Sequence, residues 1–334
     1  MRGKGINYDT GFSPVGGSSR PDFSVETVRA EMRVIAEELN CTAVRITGGE
    51  PERLSVAAEC AAEQGLEVWF APFPCNMTTE QMIPWFEDCA RRAETVRMTG
   101  AEVVLVLGCE LSLFARGFIP GDTFPDRLAN IGAPDPALFA PYGDIPGRLN
   151  AFLAESAAAV RPHFGGRLSY ASGPWEKIDW TPFDLVGIDA YRDAQNAAGY
   201  RDYLRAQFAH GKPVVATEFG CCPYQGAADR GGMGWAIVDN DAEPPRVVGE
   251  FVRDEQEQVR YLRELLAVLE EEGLDSAFWF TFANYHAPHS FDPEYDLDLG
   301  SYGVVAVLGE GGRPGLGWRP KAVFDALAEA YRSR

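Results

Sequence analysis

Short apolar runs alternate with longer amphipathic stretches along this chain, and the alternation recurs eight times. The apolar runs are GKGINY (3–8), CTAVRIT (41–47), LEVWFAPF (66–73), EVVLVLG (102–108), RLSYAS (167–172), LVGIDAY (185–191), PVVATEF (213–219) and SAFWFTF (276–282). Near-continuous apolar runs of this length read as strands buried on both faces. Between them, SVETVRAEMRVIAEEL, ERLSVAAECAAEQG and TEQMIPWFEDCARRAETVRMTG carry helical spacing. Before the last run, Val259, Leu262, Leu265, Leu266 and Leu269 repeat at three- and four-residue intervals, and Gly273 follows as a C-terminal cap.

Eight strand and helix units predict an α/β fold, a (β/α)8 TIM barrel spanning 1–334 as one catalytic domain. An open doubly wound sheet is the competing topology, but no G-x-G-x-x-G follows the first strand to mark a nucleotide crevice. Segments 111–147, 220–247 and 283–317 exceed what a barrel connection needs. All three follow strand C-termini, the face on which barrel enzymes build active sites.

Composition narrows the classes. Of 334 residues, 46% are hydrophobic and 12% aromatic, which excludes a disordered chain. A net charge of −19 argues against nucleic acid or an anionic membrane as partner. No apolar run reaches the roughly 20 residues of a membrane span, and MRGKGINYDTGF lacks the apolar core of a secretory signal, so a cytoplasmic location is expected. The seven cysteines lie mostly in apolar segments without C-x-x-C spacing, as reduced core thiols do.

Two carboxylates break the apolar pattern at strand ends, Glu110 after the fourth run and Glu218 within the seventh. In a barrel such residues converge on one pocket. Retaining glycoside hydrolysis requires that pair, one carboxyl protonated to release the leaving oxygen and one ionised to attack the anomeric carbon, about 5 to 5.5 Å apart. Arg45, flanked by apolar residues in AVRIT, is the candidate cation that keeps one of them charged.

The chain resembles clan A of the glycoside hydrolases, on VLGCELS, VATEFG, VRI, GIDAY and FWFTF in that order and strand placement. The resemblance implies a retaining glycosidase or a transglycosylating relative, with Glu110 as acid/base, Glu218 as nucleophile, Tyr191 bonded to the nucleophile and Trp279 as an aromatic floor under the sugar. Cys109 stands where the clan usually carries Asn before the acid/base. That departure points to a sugar unusual at C2, or to Asn7 or Asn76 taking over the amide's task.

Residues after the strand ends complete the expected carbohydrate site: Tyr8 and Asp9, Trp175 and Glu176, Asp189, and Asn284, Tyr285 and His286. No cofactor is expected. His286 and His289 with Asp292 and Glu294 offer metal ligands, but their spacing lacks the helix of a known zinc motif, and no metal is expected. Neither G-x-S-x-G nor a Cys with an assignable His partner supports a serine or cysteine nucleophile. The alternative reading is a catalytically silent barrel that binds a glycan or a protein, of the phage-defence kind.

Overall fold

The structure is a computed structural model and describes residues 1–14, 17–308, 312–313 and 315–332. Eight parallel strands form the barrel: β1 (Gly3–Asp9), β2 (Ala43–Gly48), β3 (Glu67–Pro72), β4 (Val103–Cys109), β5 (Arg167–Ala171), β6 (Val186–Asp189), β7 (Val214–Phe219) and β8 (Ser276–Trp279). Their order around the sheet is β5-β4-β3-β2-β1-β8-β7-β6. A parallel bridge between Ser172 and Ile188 joins β5 to β6 across the seam. The fold is therefore the expected (β/α)8 barrel.

The principal helices are α1 (Val25–Arg33), α2 (Pro51–Glu63), α3 (Thr79–Arg97), α4 (Ile145–Val160), α5 (Tyr200–Gln207), α6 (Glu255–Glu271) and α7 (Ala322–Arg332). Local chemistry sets their ends. Ser24 caps α1 by accepting from the Thr27 amide, Thr78 and Gln81 form a capping box on α3, and Asp254 accepts from Gln256 at the start of α6. Gly273 ends α6 at a φ of 83°, a left-handed turn that favours glycine.

Side-chain alternation divides the core in two. Trp69, Val104, Val106, Ala171, Val215 and Phe278 fill the barrel interior, and a larger cluster packs the outer strand faces against the helices. Gly5 lies beside Phe278 in the adjacent strand, where a Cβ would come within 2.3 Å of the ring. Only glycine leaves that space.

Register places polar side chains of different strands at one level. Asn7 of β1 lies opposite Arg45 of β2, and Asp189 of β6 opposite Glu218 of β7, the latter after a register shift between Ile188 and Asp189. Asn7, Asp189 and Glu218 lie near the C-terminal ends of their strands, and Arg45 lies midway along β2. Among the described residues no helix is long and apolar enough to cross a membrane.

Candidate active site

Glu218 is held on both oxygens at the barrel mouth. Its Oε1 accepts from Arg45 Nη1 at 2.7 Å, and its Oε2 accepts from the Tyr191 hydroxyl at 3.0 Å. Arg45 has no exposed surface, whereas 13% of the Glu218 side chain is exposed. The same Nη1 donates to Asn7 Oδ1 at 2.8 Å, and Asn7 Nδ2 donates to the Thr217 carbonyl at 3.0 Å. Asn7 thus lies beneath the site and supports Arg45.

Glu110 is held differently. Strand β4 ends in a left-handed turn, with Glu110 at φ 44° and ψ 44° and its amide bonded to the Ala171 carbonyl at 2.9 Å. Burial pushes its carboxyl well above the ordinary carboxylate range, and the negative charges of Asp189, Glu218 and Glu176 push in the same direction against Arg45. One carboxyl is gripped by a cation and a hydroxyl; the other is desolvated among acids.

Asp189 and Cys109 complete the group. Asp189 Oδ1 accepts from Thr217 Oγ1 at 2.8 Å, and its Oδ2 faces Cys109 Sγ at 3.5 Å. The same sulfur lies 3.6 Å from Glu218 Oε1, so one thiol proton serves two carboxylates in turn. Burial first, and then Glu218, raises Asp189 well above its usual range. Burial, with Asp189 and Glu218, does the same to the Cys109 thiol.

Cys109, Asp189 and Glu218 are also the grouping, among the described residues, whose ligand atoms come within 4.8 Å of one another and could hold a metal. Arg45 occupies the charge-balancing position beside Glu218, and a divalent ion in that triangle would stand against its guanidinium. The donor set fits a hydrogen-bonded cluster better than a metal centre. The histidine set does not converge. His289 pairs with Asp296 at 2.9 Å, His286 is exposed beside the Ser19 carbonyl, and Glu294 pairs with Arg246.

Trp175 and Glu110 meet on one side of Gly173. A Cβ on Gly173 would come 2.7 Å from the Trp175 ring and 3.0 Å from Glu110 Oε1. The ring is 40% exposed, and its Nε1 donates to Ser112 Oγ at 3.0 Å. Asp9 is turned to the following loop, where its Oδ1 accepts from the Gly11 amide.

Several expected site residues are not brought to the mouth. Tyr8 is one position out of phase with Asn7 and points to the outside of the barrel, donating to Glu31 at 2.5 Å. Glu31 also accepts from Arg20, Tyr285 and Trp318, so Tyr285 too belongs to this buried cluster. Trp279 is fully buried, edge-on to Phe219 with its Nε1 on the Tyr302 carbonyl, and cannot floor a sugar. Strand alternation instead favours its neighbour Phe280, half-buried and 5.8 Å from the ring of Tyr302, which itself packs on Tyr191. Asn284 is half-buried in the loop after β8, and His286 stands further out. Asn76 is committed elsewhere, accepting from Arg127 and donating to the Pro14 carbonyl.

Solved structures share this architecture. A GH113 β-1,4-mannanase superposes with a TM-score of 0.62 at 15% identity, covering 100% of each chain. The GH113 β-mannanase of Alicyclobacillus acidocaldarius, in complex with ManMIm, gives 0.61 at 17% identity over 99% of this chain and 97% of its own. The family 1 β-glucosidase of Thermotoga maritima, in complex with isofagomine lactam, gives 0.54 at 11% over 98% and 97%. The likeness is one of fold. No protein-family model and no curated protein sequence matches the chain.

Thr217, Phe280 and Tyr302 were not singled out by the sequence. For Phe280 a signal was present, because a period of two through FWF places Phe278 and Phe280 on one face and Trp279 on the other.

Proposed function

We propose that this protein is a retaining glycoside hydrolase, with Glu218 as nucleophile and Glu110 as acid/base. The observation that carries the reading is the opposite treatment of two strand-end glutamates. Glu218 accepts from a guanidinium and a hydroxyl, Arg45 and Tyr191, at 2.7 and 3.0 Å, while Glu110 is desolvated among carboxyl groups, which stabilises its proton.

In the first step Glu110 gives its proton to the glycosidic oxygen as the bond to the anomeric carbon breaks, and Glu218 Oε forms a covalent ester to that carbon. In the second, the ionised Glu110 takes a proton from water, the water oxygen bonds to the anomeric carbon, and Glu218 departs as a carboxylate. Arg45 stays beside Glu218 as its counter-charge. Trp175, Asp189 and Tyr191 complete the site, Trp175 offering its exposed ring to a sugar face. Asn284 and His286 lie on the outer loop, where acceptor sugars would pass. The neighbours that support the reading are mannanases and a glucosidase, so β-mannosides are the first substrates to try.

The test is turnover of 4-nitrophenyl β-mannoside, β-glucoside, β-galactoside and β-glucuronide by the wild type, Glu110→Gln and Glu218→Gln. Both variants should lose about 10²-fold or more. Azide should restore Glu110→Ala on a 2,4-dinitrophenyl glycoside, whose leaving group needs no proton. Full turnover in either glutamine variant would remove the two-carboxylate mechanism.

A further inference from the structure

Behind Glu110 lies a second carboxylate that the mechanism does not use. Glu176 has both oxygens engaged with the two loops that flank Glu110. Its Oε1 accepts from the Ser112 amide at 3.0 Å and the Ser112 hydroxyl at 2.6 Å, and its Oε2 accepts from the Gly173 amide at 3.1 Å. The Tyr170 hydroxyl donates to the same carboxylate at 2.8 Å and accepts from the Leu111 amide at 2.7 Å. The two residues that follow Glu110 are therefore tied, one through Tyr170 and one directly, to a single half-buried carboxyl group.

Glu110 itself occupies a left-handed conformation at φ 44°, uncommon for a residue with a side chain. Something must hold it there. The amides of Leu111 and Ser112 are the first two of the short helical turn Leu111–Phe114, and Tyr170 and Glu176 take both. Through Ser112 Oγ the same group holds the indole of Trp175, and through the Gly173 amide it holds the segment that passes over the Glu110 carboxyl.

We propose that Tyr170 and Glu176 are positioning residues for Glu110, clamping the left-handed turn that ends β4 so that its carboxyl is presented beneath Gly173 and beside Trp175. The proposal rests on the reading of Glu110 as the acid. The ionisable groups facing Glu110 are the carboxyls of Asp189, Glu218 and Glu176 and the guanidinium of Arg45. Removing the charge of Glu176, or freeing the turn so that the carboxyl reaches water, shifts Glu110 in one direction, toward easier ionisation.

The test is a ¹³C carboxyl NMR titration of the full chain labelled at glutamate, with the Glu110 resonance assigned by its loss in Glu110→Gln. The midpoint should fall toward the ordinary carboxylate range in Glu176→Gln and in Tyr170→Phe, the latter keeping the carboxylate should the former not fold. A Glu110 midpoint unchanged from wild type in a folded variant would overturn the clamp. The readout needs no substrate, so its failure is separate from that of the glycosidase reading, which the turnover of Glu110→Gln decides.

Discussion

The Arg45 guanidinium meets the Glu218 carboxylate at 2.7 Å inside the barrel, and the cation has no exposed surface at all. Removing one partner of such a pair leaves an uncompensated charge in a desolvated place, which costs about 3–5 kcal/mol. Arg45→Met should therefore lower stability in denaturant by that order, and activity by about 10²-fold through loss of electrostatic stabilisation. Arg45→Lys keeps the charge but not the planar guanidinium whose Nη1 donates to Asn7 and Glu218 together, and should recover only part of both. Equilibrium unfolding and kcat/KM on the same samples check the two effects.

Glu110 makes stability depend on pH in a predictable direction. Its carboxyl, raised by burial and by Asp189, Glu218 and Glu176, binds its proton more tightly folded than unfolded. Between the ordinary carboxylate value and the raised one, the folded state holds the extra proton, so stability falls as pH rises through that window. Glu110→Gln removes the penalty. Its Tm should exceed that of the wild type at alkaline pH, and the gain should vanish near pH 4, where the unfolded glutamate is also largely protonated. A calorimetric pH series on both proteins measures this. As pH rises through the raised value itself, at the upper end of that window, the folded enzyme gives up the Glu110 proton, so turnover should fall on the alkaline side.

The thiols should be silent in the native state. All seven cysteines are unpaired by disulfides, and burial raises each of those beside the site: Cys109 well above its usual value and Cys75 to about 12. Cys221 and Cys222 are buried and shifted upward too. A thiol reagent at pH 8 should find almost no reactive group until denaturant is added, and then seven. Rapid modification of the folded protein with loss of activity would contradict the account of Cys109 as a desolvated neighbour of Glu218.

Cys109 is expected to bear on substrate choice. Its sulfur lies 3.5 Å from Asp189 and 3.6 Å from Glu218, a position where an amide would offer stronger donors and an acceptor. Cys109→Asn is expected to change the ranking of sugars in the glycoside panel, read as a shift in relative kcat/KM. An unchanged ranking would make Cys109 packing alone.

The barrel was legible because parallel strands buried on both faces appear as unbroken apolar runs, and the polar residue that stops each run is visible by contrast. Glu110, Glu218 and Arg45 stood out for that reason. The parity of each strand was harder to read. Tyr8 follows Asn7 and Trp279 precedes Phe280, and in both places the alternation directs the large ring outward, so that of Asn7 and Tyr8, both expected at the site, only Asn7 faces inward. The contacts of Cys109 with Asp189, and of Glu176 with Ser112 and Gly173, join segments far apart in the chain through loop backbone that carries no hydrophobic period. Nothing in a linear pattern encodes those meetings.

The central claim is that Glu218 forms a covalent bond to the sugar. Incubation with the 2,4-dinitrophenyl 2-deoxy-2-fluoro derivative of a sugar the wild type hydrolyses, followed by peptide mass spectrometry, tests it directly. The account predicts one fluoroglycosyl group per chain on the peptide containing Glu218, and none on Glu218→Gln. A label on another residue, or turnover of the fluoro-sugar that inverts the anomeric centre without labelling, would contradict it.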